Sequence, residues 1–565
     1  MAGLSNDKTN VWDSGGHWFL ALAAIVLFAN RTVAADSPFV FRDVAAEVGL
    51  SEPLTGLMAH AAAWGDVNGD GWIDLFVGTY ADRPIEMYIA GGAKGPVPNR
   101  LLINRNGRFT LSDQKSIAWL GRASGAVVVD LDNDGRSDLY VTNNGRLGRE
   151  NLLYHNVGGG QLEKVTDGAG APIDLPDDAR SVSVLDFDGD GLLDLLVLAS
   201  VRKDETLLFR NRGGMRFELS EAIPRDAVGL GLAVGDLTGN GWPDVMIGGP
   251  NRLFVNLGGG SYREATELGP SEPFTREDDS PSCGIAFGDV DRDGDLDMLI
   301  GSHHKRPWAK PNALRLLLND GSTPKRVRFE EVTDRVGIVK YPIKIPHVEI
   351  RDFDNDGWPD LYTAVVTLRN DRIYPAIYRN LGTSRGGPPR FQETAFVHRP
   401  DFPGPEDYVP SERSAGFYQR LVANCKTMYF APGPSGDFDR DGRLDLFLAS
   451  FWPRFPSLLL KNETTSGHYL DVEVVGTGKV NRNGIGAMVR AYRAGQAGKV
   501  TSLLTSEEIA TGYGFCSGQP PVAHLGLGHV DVCDVVVTLP HGQGRLVREN
   551  VDADQRLVVH VREPE

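Results

Sequence analysis

Aspartates recur in this chain at spacings suited to wrapping a hard divalent cation. The phrase D-x-[DNT]-x-[DN]-G-x-x-D-[LVM] occurs seven times, starting at Asp66, Asp130, Asp186, Asp236, Asp289, Asp352 and Asp437. Ca²⁺ takes roughly six to eight oxygens at ~2.3–2.6 Å, from carboxylates, amides and backbone carbonyls. Positions one, three, five and nine of the phrase offer side chains, and position seven offers its carbonyl. The first three sets are Asp66, Asn68, Asp70, Trp72 and Asp74; Asp130, Asp132, Asp134, Arg136 and Asp138; and Asp186, Asp188, Asp190, Leu192 and Asp194. The last three are Asp289, Asp291, Asp293, Asp295 and Asp297; Asp352, Asp354, Asp356, Trp358 and Asp360; and Asp437, Asp439, Asp441, Arg443 and Asp445. The fourth copy, Asp236, Thr238, Asn240 and Asp244, has only two carboxylates, so its site is expected to be weak or empty. Asp295 stands at position seven, where the carbonyl rather than the side chain is the expected ligand.

An EF-hand opens in the same way but needs a bidentate Glu at position twelve and flanking helices. Position twelve here is Val77, Val141 or Val197, inside an apolar run. Plain Asx turns joining strands would account for one such loop. Seven loops that crowd carboxylates within a few ångströms call for a counter-ion. Positions one, three, five and nine hold 25 aspartates, and the chain carries a net charge of −17. Seven divalent ions would bring it near −3. The acidity reads as metal-binding capacity for up to seven Ca²⁺ ions, structural rather than sensing, with the Asp236 site doubtful.

Each loop sits between the same elements. A small or apolar stretch precedes it, as in His60 to Gly65, and an apolar strand follows, as in Leu75 to Val77. Next comes a strand ending in Asn (Asn104, Asn156, Asn256), a Gly-rich turn and an edge strand with Phe109, Leu162, Phe217, Tyr262, Phe329 or Phe391. Four short strands per unit, repeated at intervals of 64, 56, 50, 53, 63 and 85 residues, predict an all-β, seven-bladed β-propeller. The seventh unit ends at Asn462 without its outer strand. Phe39 to Val44 has the form of that strand, so the N-terminal segment is expected to complete the last blade. The propeller is assigned residues 36–462, and residues 463–565 a separate small β-rich domain. The longest interval holds an insertion, about Ala395 to Ser435, rich in Pro, Tyr, Phe and Arg.

Trp18 to Ala29 is an apolar run of twelve, short of the ~20 residues of a membrane span. Small residues at Val33 to Ala35 allow cleavage before Asp36, so residues 1–35 read as a signal peptide. An uncleaved anchor is the rival, and only then would a membrane be a partner. The acidic balance argues against nucleic acid. Cys283, Cys425, Cys516 and Cys533 form no C-x-x-C. Cys516 with Cys533 could pair in an exported protein, or the thiols could be free and buried.

The seven loops resemble the FG-GAP/VCBS calcium repeats of integrin-α-type propellers. The tail is similar to the ASPIC/UnbV domain at Asn462-Glu463-Thr464, Asn483 to Ala487, Gly512-Tyr513, Leu525 to Gly528 and Val535 to Gly542. It departs from that pattern at Leu539, where Trp is usual, and at Phe515-Cys516-Ser517. This layout resembles that of cartilage acidic protein-like secreted proteins and their bacterial relatives. The resemblance implies a calcium-binding, exported, interaction-type protein.

Two classes of function stand against each other. One is a calcium-stabilised binding or adhesion scaffold, secreted, periplasmic or on the cell surface, with a protein or glycan partner. The other is a propeller-based extracytoplasmic enzyme, a lyase, hydrolase or dehydrogenase, or an accessory protein of a biosynthetic or secretion complex. No H-E-x-x-H, nucleophile elbow around a Ser or P-loop supports the enzyme. His303-His304 reads as a solvent-exposed loop pair. A buried His/Glu/Arg set at a central channel would favour the enzyme.

Overall fold

In the computed structural model, the strands that follow the acidic loops are buried along their whole length. Asp74–Thr79, Asp138–Asn143 and Asp194–Ala199 have no exposed residue. Val, Ile, Leu and Phe suit this position because the strand is covered on both faces. The structure describes Ser37 to Val561 except residues 145–149, 167–178, 200–204, 228, 250, 267–281, 304–313, 341–342, 370–371, 383–386, 395–425 and 453. The expected signal segment, most of the long insertion, Cys425 and His304 lie outside the described residues.

Among the described residues there are seven sheets built on four antiparallel strands, one per acidic loop. The first contains Ala59–Gly65, Asp74–Thr79, Arg100–Arg105 and Arg108–Leu111. The seventh contains Ser435–Gly436, Asp445–Leu448 and Leu458–Asn462, and its fourth strand is Phe41–Asp43 from the N-terminal end. Phe41 pairs with Asn462 and Asp43 with Leu460. The sheets form a nearly all-β propeller.

The core lies between neighbouring sheets. Trp64, Leu75 and Val77 of the first sheet pack against Phe447 and Leu459 of the seventh. Phe76 and Val128 join the first sheet to the second, and Tyr362 and Leu446 the sixth to the seventh. The other four junctions have cores of the same kind. Each blade therefore buries its faces against two others, and the ring closes on itself.

After Asn462 the chain builds two more sheets. His468–Val475 pairs with Ala523–Gly528 and, in parallel, with Gln555–His560. Leu503–Glu508, Met488–Arg493, Val532–Thr538 and Arg545–Asp552 form the second. These sheets share a core with the second and third blades, and residues from Ser37 onward form one compact unit. Topology changes at Asn462, but packing does not stop there. Among the described residues no helix is long and apolar enough to cross a membrane.

Candidate functional site

Every acidic loop is folded by its own aspartates. The position-one carboxylate accepts backbone N–H groups from the far side of the turn: Gly71 N lies 2.6 Å from Asp66 Oδ2, and Gly135 N 2.6 Å from Asp130 Oδ2. The position-five side chain accepts the position-seven N–H, as Trp72 to Asp70 (2.9 Å), Leu192 to Asp190 (3.0 Å), Asp295 to Asp293 (2.9 Å), Trp358 to Asp356 (2.9 Å) and Arg443 to Asp441 (3.1 Å). The turn needs left-handed backbone at position six, where all seven copies carry Gly, with φ from 78° to 101°.

Position nine works differently. Asp74, Asp138, Asp194, Asp244, Asp297, Asp360 and Asp445 are buried and begin the second strand of their blades. Each uses one oxygen within its loop, as Val67 N to Asp74 Oδ2 at 2.9 Å. The other accepts the backbone N–H of the strand-ending Asn: Asn104 to Asp74 (2.7 Å), Asn156 to Asp138 (2.8 Å) and Asn462 to Asp445 (2.7 Å).

These asparagines also join the blades. In each blade the Asn side-chain amide donates to a carbonyl in the preceding loop: Asn156 to Val67 (2.7 Å), Asn211 to Leu131 (2.6 Å), Asn256 to Phe187 (2.9 Å), Asn319 to Leu237 (2.9 Å), Asn380 to Val290 (2.8 Å) and Asn462 to Phe353 (2.9 Å). Asn104 closes the series onto Phe438 of the seventh loop. Sequence reasoning used these asparagines as strand punctuation and missed this role, although their recurrence was the signal.

The remaining oxygens suit a cation. Asp130, Asp132 and Asp138, Asp186, Asp188 and Asp194, Asp289, Asp291 and Asp297, and Asp352, Asp354 and Asp356 each bring ligand atoms within 4.8 Å of one another. Asp132 Oδ1, Asp289 Oδ1, Asp352 Oδ1 and Asp439 Oδ1 are buried without a hydrogen-bond partner. Burial, reinforced by neighbouring carboxylates, pushes several groups far above the usual carboxylate range: Asp74 and Asp186 to about 7, Asp138 and Asp437 to about 8. Asp289 rises to about 6 and Asp291 to about 7, and Asp297, Asp360 and Asp445 are also driven up. A divalent ion would relieve that repulsion and occupy the orphaned oxygens.

Three loops hold a cation of their own against the carboxylates, and the second holds a histidine at the same position. The residue before the strand-ending Asn reaches positions three and five. Arg210 contacts Asp188 (2.5 Å) and Asp190 (3.3 Å), and Arg379 contacts Asp354 (2.6 Å) and Asp356 (3.2 Å). Lys461 pairs with Asp439 and Asp441, and His155 lies 3.1 Å from Asp132. Arg136 and Arg443 also fold back onto Asp134 and Asp441. In the first and fifth loops the bridging position holds the apolar Ile103 and Leu318.

The tail covers the loop face and touches every loop. Asn483 Oδ1 accepts from Asp130 N (2.8 Å), Ser506 Oγ donates to Asp289 Oδ2 (2.6 Å), and His524 Nε2 lies 2.8 Å from Asn355 Oδ1. His541 spans two loops, lying 2.9 Å from Asp186 O and donating its backbone N–H to Gly241 O at 2.7 Å. Arg556 donates to Gly71 O (3.3 Å), and the Tyr469 ring packs on Gly442. At the carboxylate-poor fourth loop the tail supplies Glu508. Its Oε2 accepts from Asp236 N at 2.9 Å, and burial together with the Asp236 charge pushes its pKa to about 8. Asn240 of that loop donates to Asn256 O at 2.8 Å.

From the cap, residues 511–519 enter the channel. Thr511 O accepts from Ser183 Oγ (2.8 Å), Gly514 N donates to Ile285 O (2.9 Å), and Ser517–Gly518 pairs in parallel with Ala62 and Ala63. His347 and Glu349 meet this plug fully buried, with Arg351 beside them. Ser517 Oγ lies 3.1 Å from His347 Nδ1, and His347 Nε2 lies 3.3 Å from Glu349 Oε1. Gln519 Nε2 donates to Glu349 Oε1 at 2.7 Å, and Ser435 Oγ lies 2.5 Å from Glu349 Oε2. The order is that of a nucleophile, base and orienting acid, but the set is sealed inside the plug contact and pins the tail to the sixth blade. Cys283, Cys516 and Cys533 are free, buried thiols, so Cys516 and Cys533 are not paired. His303 is half-buried, and burial and nearby cations lower its pKa to about 3.

The family model described as FG-GAP-like repeat matches residues 66–141 and 130–197, and that for ASPIC and UnbV matches 476–565. The chain carries FG-GAP-like repeats and an ASPIC and UnbV domain. The ASPIC and UnbV match covers the plug and the cap from residue 476 onward. Cartilage acidic protein 1 from Mus musculus is 25% identical over 538 residues, covering 88% of this chain and 72% of that protein. The Homo sapiens protein of that name is 25% identical over 533 residues, covering 87% and 70%. Two solved structures resemble this one distantly. An Agrocybe aegerita lectin, solved for its recognition of non-reducing terminal N-acetylglucosamine, has a TM-score of 0.39 and 16% identity over 65% of this chain and 84% of its own. The Dos1 propeller has a TM-score of 0.35 and 10% identity over 73% and 85%. At these scores the likeness adds nothing to what the sheets show.

Proposed function

We propose that this chain is an exported, calcium-binding scaffold: a seven-bladed ring that presents a surface to a protein or glycan partner. The observation that carries the calcium reading is the set of buried, unpartnered oxygens at position three of the second and seventh loops and position one of the fifth and sixth, beside carboxylates raised by burial and by one another. Asp130, Asp132, Asp134 and Asp138 would hold one ion, and their counterparts would do the same in the other carboxylate-rich loops. Such an ion supplies charge neutralisation where the second strand, the loop and the cap meet. Its role is to hold blades and cap together. An extracellular setting suits it, because calcium modules there bind at ~10⁻⁴–10⁻³ M.

The enzyme reading turns on Ser517, His347 and Glu349. A nucleophile must meet its substrate, and Ser517 is buried with its hydroxyl also 3.1 Å from Tyr513 O. We read the set as a clamp. The deciding experiment is thermal unfolding of residues 36–565 in millimolar calcium and in excess chelator. A melting temperature lower by 10 °C or more without calcium supports the scaffold, and an unchanged one rejects structural calcium.

A further inference from the structure

The inner strands place the residue six positions before each loop's first Asp at one level of the channel. At ~3.3 Å per residue this level lies about 20 Å from the loops. On the fourth, fifth and seventh blades those residues are Leu230, Cys283 and Ala431, which pack with the plug tip, Phe515 and Cys516. On the first three they are His60, Ser124 and Arg180, which are polar. The plug tip therefore covers the apolar side of this level, and its Phe515 ring also meets His60 edge-on at 6.1 Å and 72°.

Cations converge there. The Arg180 guanidinium acts electrostatically on His60 and Tyr80 of the first blade, on Cys283 and His303 of the fifth, and on Cys516 of the plug. Lys344 acts on Cys283 and His303 from the sixth blade, and Arg83 acts on His60. His60 stacks on Tyr80 at 4.4 Å and 11°, and Phe451 meets both rings edge-on. Arg83 lies over Phe451 at 4.7 Å, so its plane is fixed. Asp82 is engaged by Arg122 at 3.3 Å. Among the described residues, His60 Nδ1, Arg83 Nε and Arg180 Nε are buried without a hydrogen-bond partner. Yet His60, Arg83 and Arg180 are only half-buried as residues, so solvent reaches this level.

We propose that this level of the channel binds an oxyanion, a carboxylate or sulfate held by Arg180 and Arg83, with the His60–Tyr80–Phe451 wall supporting the ring or chain that carries it. Unpartnered guanidinium N–H groups in a partly desolvated site favour planar, charge-assisted recognition of such a group. The aromatic wall adds apolar contact for its carrier. The inference rests on the chain being a binding protein and does not depend on the calcium reading.

The test is calorimetric titration of the full mature chain, calcium present, with sodium sulfate and sodium glucuronate at constant ionic strength. Saturable binding of either is expected, weakened at least tenfold in Arg180→Gln and in Arg83→Gln, and unchanged in Arg545→Gln on the exposed tail strand. Tighter binding of glucuronate assigns the site to an acidic sugar or similar carrier, and tighter binding of sulfate to a sulfate group or free anion. Melting curves identify any variant that fails to fold, in which case the other Arg variant decides. The proposal is overturned if neither anion binds saturably, or if the folded variants bind as the parent does. Loss of the calcium effect on stability would leave this result standing.

Discussion

The Asn104 side-chain amide donates to the Phe438 carbonyl at 2.8 Å, across 334 residues of sequence. This bond closes a series of seven, each tying the third strand of one blade to the acidic loop of the blade before it. The same side-chain amide also reaches Ile73 O at 3.0 Å, while the backbone N–H is held by Asp74. The acidic loop is thus fastened to its own blade by position nine and to the next blade by an Asn.

Asn211→Ala tests this fastening. It leaves the buried carbonyls of Leu131 and Leu193 unpaired. Unsatisfied buried groups cost about 1–3 kcal/mol each, so the expected loss is about 2–4 kcal/mol by denaturant unfolding. A loss below about 0.5 kcal/mol would show that these bonds do not hold the ring.

Internal cations should compete with bound metal. Arg210→Met removes the guanidinium from Asp188 and Asp190, and Lys461→Met does the same for the seventh loop. Each variant is expected to bind calcium several-fold more tightly at the altered loop, read by calorimetric titration. Weaker binding would mean that the cation organises the site rather than occupying it.

The pH dependence of the metal-free chain follows from the raised carboxylates. Asp74, Asp138, Asp186 and Asp437 titrate near 7 to 8 folded, against about 4 when unfolded. The folded state then holds more protons than the unfolded state across that window, so stability falls as pH rises from about 4 to 8. In chelator the melting temperature should drop between pH 5 and pH 8, and saturating calcium should flatten the slope. A metal-free melting temperature that rises over this range would contradict the assignment.

The plug is packed too closely to admit a methyl group. A Cβ on Gly284 would sit 2.1 Å from Gly514 O and 2.3 Å from Pro346 O. Gly284→Ala should cost about 1–3 kcal/mol or more and expose residues 511–519 to limited proteolysis. Unchanged protease resistance would show that the plug is not seated against the fifth blade.

The repeat count, the four-strand unit and the N-terminal closure were legible because each rests on local pattern: alternating apolar runs, Gly at the turn and an outer strand displaced to the other end. The turns that the aspartates and the position-six Gly build were legible for the same reason. What the sequence concealed is long-range. Nothing near Ser517 announces His347, and the tail's alternating strands read as a separate domain because they pair among themselves while the loops they cover are spread along the whole propeller sequence. His155, Arg210, Arg379 and Lys461 each precede a recurrent Asn, a pattern visible in hindsight, but their contact with Asp depends on the strand lying beside its own loop.

The central claim is that the acidic loops are metal sites, and metal stoichiometry tests it most directly. Equilibrium dialysis of residues 36–565 against calcium, with bound ion counted by mass spectrometry, should give six ions per chain, or seven if Glu508 completes the fourth loop. Asp138→Asn and Asp297→Asn should each remove one. A parent chain that binds one ion or none at millimolar calcium would contradict the account.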